Sequence, residues 1–227
     1  MPTAGSRIAE VPAGRLPGWV DRFRDGHGGD LRLEAGLDGS PVLHAADGAT
    51  AVLDLPFAER AGRVAVGAGL DAVLAHVAEV AAGLPYALLL LRRGGWAVGL
   101  AAGERVLASR VGTRYVQGRT RKGGSSQQRY ARRRGHQAES VVAAAVAAAP
   151  EVWGPPPEDA WTLVTGGDRL LLRDALARLG GTAGAEVPVR VAARRLDVPD
   201  PRRAVLDAAA RSACATRVRV HDAAPPA

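Results

Sequence analysis

The stretch Arg119-Thr120-Arg121-Lys122-Gly123-Gly124-Ser125-Ser126-Gln127-Gln128-Arg129 holds the residue types best suited to chemistry in this chain. Gly123 and Gly124 lack Cβ atoms and admit positive φ, so the backbone there can press close to a ligand. Gln127 and Gln128 offer amide donors and acceptors but no proton to trade near neutral pH. Such an amide can orient a water toward a carbonyl, while nearby backbone N–H groups stabilise the oxyanion that develops. Basic residues crowd both flanks, and Arg132, Arg133 and Arg134 follow directly. The combination suits a loop that handles an ester inside an RNA-walled pocket. It is a poor choice for holding a metal or for running acid–base catalysis alone.

The charge around this stretch is concentrated. Ten basic residues lie between positions 105 and 134: Arg105, Arg110, Arg114, Arg119, Arg121, Lys122, Arg129, Arg132, Arg133 and Arg134. No Asp or Glu occurs between Glu104 and Glu139. The window carries +10 against a chain total of +7, which leaves −3 for the rest. A basic patch on a near-neutral body points to a polyanion partner. Arg114, Arg119, Arg121, Lys122, Arg129, Arg132, Arg133 and Arg134 are the candidate RNA-contacting residues, and each phosphate neutralised makes binding salt-dependent.

Other chemistries are thinly supported. Cys214 is the only cysteine, which excludes an internal disulfide and a cysteine-based zinc site. The five histidines are scattered without ligand spacing. No cofactor and no metal is expected. The polar N-terminus has no signal-peptide core, and the runs Tyr86–Leu91 and Val141–Ala149 are too short to span a bilayer. A cytoplasmic, monomeric protein with no membrane contact is expected.

Local patterns set out the elements that must position the loop. Residues 1–14 read as a loose tail, and Leu16–Asp25 as an amphipathic helix. Strand-like pieces follow at Leu31–Leu37, Pro41–His44 and Ala51–Phe57, then a helix at Leu70–Ala82. From Tyr86 the pattern strengthens: strands at Tyr86–Arg92, Trp96–Ala101 and Arg105–Val111, with Gly94-Gly95 as a hairpin turn. A long helix is expected from Gln127 to Ala149, ended by Pro150, with Val141, Val142, Ala145, Val146 and Ala149 on its buried side. Arg129, Arg132, Arg133 and His136 share another face by their three- and four-residue spacing. Trp161–Thr165 is a strand, Asp168 caps the helix Arg169–Leu179, Val187–Ala193 is a strand, and a last helix reaches Cys214. Arg217–Val220 adds an edge strand. The order predicts an α+β fold: a ribonuclease-H-like mixed sheet flanked by helices over 85–222, with a smaller α+β portion over 1–84.

Gly112-Thr113-Arg114-Tyr115-Val116-Gln117-Gly118-Arg119-Thr120, followed by Gly123-Gly124-Ser125-Ser126-Gln127-Gln128-Arg129-Tyr130-Ala131-Arg132-Arg133-Arg134, resembles the catalytic segment of the Vms-like release factor family. More narrowly, it is similar to the actinobacterial peptidyl-tRNA hydrolase branch. Thr165-Gly166-Gly167-Asp168-Arg169 also resembles that branch. The wider relatives include the catalytic domain of the eukaryotic class-one release factor. The resemblance implies hydrolysis of the ester joining a nascent peptide to tRNA, on stalled large ribosomal subunits. The implied partners are ribosomal RNA and peptidyl-tRNA, and the implied catalytic residues are Gly123, Gly124 and a glutamine. The classical factors have a contiguous Gly-Gly-Gln, whereas Ser125 and Ser126 intervene here. Gln127 is favoured as the nearer to the glycines. Gln128, expected as the first committed helical residue, is the less favoured alternative.

Two rivals remain. A ribonuclease-H-like nuclease needs carboxylates converging on metal ions. Asp54, Glu59, Glu104, Asp159 and Asp168 are the acids on offer. A non-catalytic rRNA- or tRNA-binding module explains the arginines but leaves the glycine–glutamine segment idle.

Overall fold

The computed structural model describes residues 6–58, 68–113, 126–180 and 187–223, and describes side chains in the long helix from His136 onward. Along the chain the described elements are β1 (Ser6–Val11), α1 (Leu16–Gly26), β2 (Leu31–Ala35), β3 (Pro41–Ala45), β4 (Thr50–Asp54) and α2 (Leu70–Gly83). Then come β5 (Pro85–Arg92), β6 (Gly95–Ala102), β7 (Arg105–Thr113), α3 (Ser126–Trp153), β8 (Trp161–Gly167), α4 (Arg169–Leu179), β9 (Val189–Leu196), α5 (Arg203–Cys214) and β10 (Thr216–His221). The chain forms two compact units, Met1–Leu84 with Arg211–Ala227, and Pro85–Ala210.

The first unit is an antiparallel sheet ordered β1-β10-β4-β3-β2. Leu16, Val20 and Phe23, spaced by fours and threes, form the buried stripe of α1. With Val73 and Val77 of α2 they share a core with Leu43, Leu53 and Val218 of the sheet. Two expectations fail here. Residues 6–11 are a strand, and Thr216–His221 lies between β1 and β4 instead of adding an edge strand to the second domain. The tail from Arg211 thus groups with the N-terminal residues, where the sequence division ran to 222. Both strands pair with partners most of a chain length away, and local pattern carries no trace of such pairing.

Asp47, in the β3–β4 turn, accepts a hydrogen bond from Ala49 N at 2.9 Å and pairs with His27 Nδ1 at 2.8 Å. The backbone bond from Ala49, then the bond to His27, lowers the Asp47 pKa below 3.8. A lowered folded-state pKa stabilises above the unfolded value and is lost as pH falls through the folded one. The thermal midpoint of Asp47→Asn should therefore lie below wild type at pH 7 and converge on it below pH 3.8. Equal gaps at both pH values would show that the charge contributes nothing.

The second unit holds a sheet ordered β7-β6-β5-β8-β9. β5, β6 and β7 form an antiparallel meander, while β8 and β9 run parallel to β5. This is the ribonuclease-H-like order expected from the sequence. Ala87, Leu89 and Leu91 of β5 pack with Val141, Val142, Ala145, Leu171, Leu172 and Ala175 of α3 and α4. The opposite face receives α5. A Cβ on Gly99 would lie 2.8 Å from Leu206 Cδ2, so glycine permits that close approach. Trp153 is buried and donates its indole N–H to Gly99 O at 2.9 Å.

α3 continues three residues past Pro150. A proline this near a helix end forfeits one backbone bond without ending the helix. Gly154 N bonds Pro150 O at 3.0 Å and closes the last turn.

Candidate functional site

The end of β7 delivers the chain to the candidate loop. Thr113 pairs with Gly95, next to the β5–β6 turn. Gly112 lies against the indole of Trp96, where a Cβ would overlap Nε1. Arg114, Arg119, Arg121, Lys122, Gly123 and Gly124 then fall outside the described residues.

α3 begins at Ser126, so Gln127 and Gln128 both lie in its first turn. The sequence expectation started this helix at Gln127, with Gln128 as its first committed residue. The helix boundary therefore does not separate the two glutamines. It places both at a helix N-terminus, where the first four N–H groups lack intrahelical acceptors and the dipole favours negative charge.

The rest of α3 shows how it is used. Val141, Val142, Ala145, Ala148, Ala149 and Trp153 are buried, while His136, Glu139, Ala143, Ala147 and Glu151 are exposed.

The charges divide by role. Residues 85–210 hold twenty basic and eleven acidic side chains. Outside the loop and first half of α3, many arginines have carboxylate neighbours: Arg92 with Asp197, Arg173 with Asp174, Arg190 with Asp159, Arg203 with Asp207. Glu139 and Glu151, the two acids of α3, face Arg178 at 3.9 Å and Arg110 respectively. They are engaged with arginines outside the first half of α3. The sequence places no acid between Glu104 and Glu139.

A second motif shapes the C-terminal end of β8. Gly167 has φ +101°, and a Cβ there would overlap Leu91 O. Only glycine lets β8 turn so close to β5. Asp168 N then donates to Leu91 O at 2.8 Å, and its carboxylate accepts from Leu170 N and Leu171 N at 2.9 and 3.3 Å. Asp168 is thus the cap the sequence suggested. Gly167→Ala should cost about 2–4 kcal/mol of stability, through strain and overlap together. Urea unfolding measures it, and a loss within error of zero would show that the turn relaxes freely.

Arg93 is a basic residue that sequence reasoning passes over. It sits in the β5–β6 turn, two residues before Thr113's partner Gly95, with a side chain 66% exposed and its Nε 3.9 Å from Asp168. The signal is the Arg92-Arg93 pair beside Gly94-Gly95, which reads only as hairpin punctuation.

The acids a nuclease would need are spread over separate elements. Asp54 belongs to β4 of the first unit, Glu104 to the β6–β7 turn, Asp159 faces Arg190, and Asp168 caps α4. Glu59 lies outside the described residues. Among the described residues no three His, Cys, Asp or Glu side chains group as a metal site.

The strand order, the loop's place after the edge strand and the glycine-restricted turn all fall inside one matched region. The family model of the Actinobacteria/chloroflexi VLRF1 release factor matches residues 84–219. The chain belongs to this release factor family. Its place is therefore in translation, and the match takes in the second unit and continues into β10. No curated protein matches the chain. Among the described residues no helix is long and apolar enough to cross a membrane.

Proposed function

We propose that this VLRF1-family protein is a peptidyl-tRNA hydrolase that frees nascent chains from stalled large ribosomal subunits. The observation that carries the reading is that Gln127 and Gln128 lie in the first turn of α3, two serines after Gly123 and Gly124, inside a basic window of sequence free of acids. In this reading Arg114, Arg119, Arg121, Lys122, Arg129, Arg132, Arg133 and Arg134 grip ribosomal and tRNA phosphates. Gly123 and Gly124 let the backbone approach the ester. Gln127 holds a water against the carbonyl carbon, and N–H groups at the helix start stabilise the oxyanion. Positions 127 and 128 are about 100° apart around a helix, so one residue serves this role and the other does not. The window offers no protein base, and the 2′-hydroxyl of the terminal tRNA nucleotide is the route for the proton. Positioning supplies most of the rate. The protein works in the cytoplasm as a monomer and needs no cofactor or metal of its own.

The test adds the wild-type protein to purified large subunits carrying labelled peptidyl-tRNA and follows both products. Free peptide together with full-length deacylated tRNA supports ester hydrolysis. Binding without release would favour a docking module, and shortened tRNA would favour a nuclease.

A further inference from the structure

The first unit offers a surface that the release reaction does not use. β1 is an edge strand, bonded to β10 on one side only among the described residues. Ser6–Glu10 are all exposed, including Ile8 at 57%. A regular half-buried strand hides alternate residues; Ser6–Glu10 of β1 do not, and a groove opens between β1 and α1. That groove has a volume of about 400 Å³. Ile8, Ala9, Val220, Trp19 and Phe23 form its apolar lining, and Arg7 and Arg22 supply its charge. Trp19 and Phe23 stack at 5.3 Å between centroids, which fixes the aromatic wall. Arg7 pairs with Asp222 at 2.7 Å, whereas Arg22 has no carboxylate within ion-pair distance among the described residues.

We propose that β1 and this groove receive an extended acidic–apolar segment of a partner protein, added as a sixth strand to the sheet. Strand addition satisfies the open backbone edge and reads alternate side chains. Residues facing the groove would alternate carboxylate, toward Arg22, with aliphatic, over Ala9 and Val220. Ile8, at the rim of the groove, would pack against a β-branched residue of the added strand.

Charge favours a peptide over RNA. The first unit holds ten arginines against twelve carboxylates, so its net charge is −2, while residues 85–210 carry +9. A polyanion is drawn to the second unit. Arg22, the groove arginine without a carboxylate neighbour among the described residues, matches an isolated carboxylate and not a polyanion.

The test titrates the full-length, isotope-labelled protein with the capped peptide Glu-Val-Val-Val-Glu-Ser and follows backbone amides and indole N–H signals. Shifts confined to β1, α1 and the Trp19 indole are expected. Arg22→Glu should weaken binding about tenfold, because one charge-matched pair turns repulsive. Arg211→Glu should leave it unchanged, and replacing both glutamates of the peptide by lysine should abolish it. No shifts, or equal binding of the lysine peptide, would overturn the proposal. The same shifts with a uridine decamer would reassign the groove to RNA. The same shifts on concentrating the protein alone would reassign it to a second copy of this chain.

Discussion

Replacing Arg132, Arg133 and Arg134 together by glutamine should weaken binding to isolated large ribosomal subunits by about 10²–10³-fold at physiological salt. The logarithmic salt slope should become shallower by about 2–3, roughly one unit for each phosphate no longer neutralised. The reason lies in the partners of each arginine. Arg173, Arg178 and Arg190 each lie within 4 Å of a carboxylate. Arg132, Arg133 and Arg134 stand in a stretch with no acid from Glu104 to Glu139, and Glu139 faces Arg178 instead. A run of like charges with no acid near it in sequence gains most when a polyanion arrives. The matched control replaces Arg173, Arg178 and Arg190 by glutamine. That variant should bind within about twofold of wild type, because its charges are already compensated and sit at exposed positions. Equal losses in the two triple variants would mean that net charge, and not the placement on α3, governs docking.

Much of this fold is legible from local pattern because its central strands are. β5 is an unbroken apolar run, the glycine pair marks the hairpin although the turn is Arg93-Gly94 and Gly95 opens β6, and the buried stripe of α3 repeats by threes and fours. Asp168 announces a cap by its type and by the helix that follows. What escapes is non-local. β1 carries Arg7 and Glu10 and hides almost nothing, so no hydrophobic alternation marks it. β10 does alternate, with Thr216, Val218 and Val220 buried, yet nothing in its sequence says that its neighbours are β1 and β4. Pro150 misleads for a different reason. Proline is a strong terminator inside a helix and a tolerable one in its last turn, and the sequence does not tell these positions apart.

The site is legible in composition more than in geometry. The glycine pair, the two glutamines and the acid-free basic window can be read directly. The helix start cannot, because Ser125 and Ser126 are equally able to end a loop or open a helix. With α3 beginning at Ser126, the nearness of Gln127 to the glycines is the remaining ground for preferring it. Arg93 escapes notice because a hairpin turn explains its neighbours without giving it a role.

The most direct measurement is peptide release from large subunits carrying peptidyl-tRNA, under single-turnover conditions, by wild type, Gln127→Ala, Gln128→Ala and the double variant. Subunit binding is measured in parallel, so that docking and chemistry are read separately. Gln127→Ala should slow release about 10²–10³-fold, the scale for removing one group that stabilises or positions the reacting centre. Its subunit affinity should stay near wild type, because the arginines are untouched. Gln128→Ala should change release far less. A reversed pattern would move the role to the neighbouring glutamine and keep the mechanism. Release at the wild-type rate by both single variants and by the double variant would contradict it.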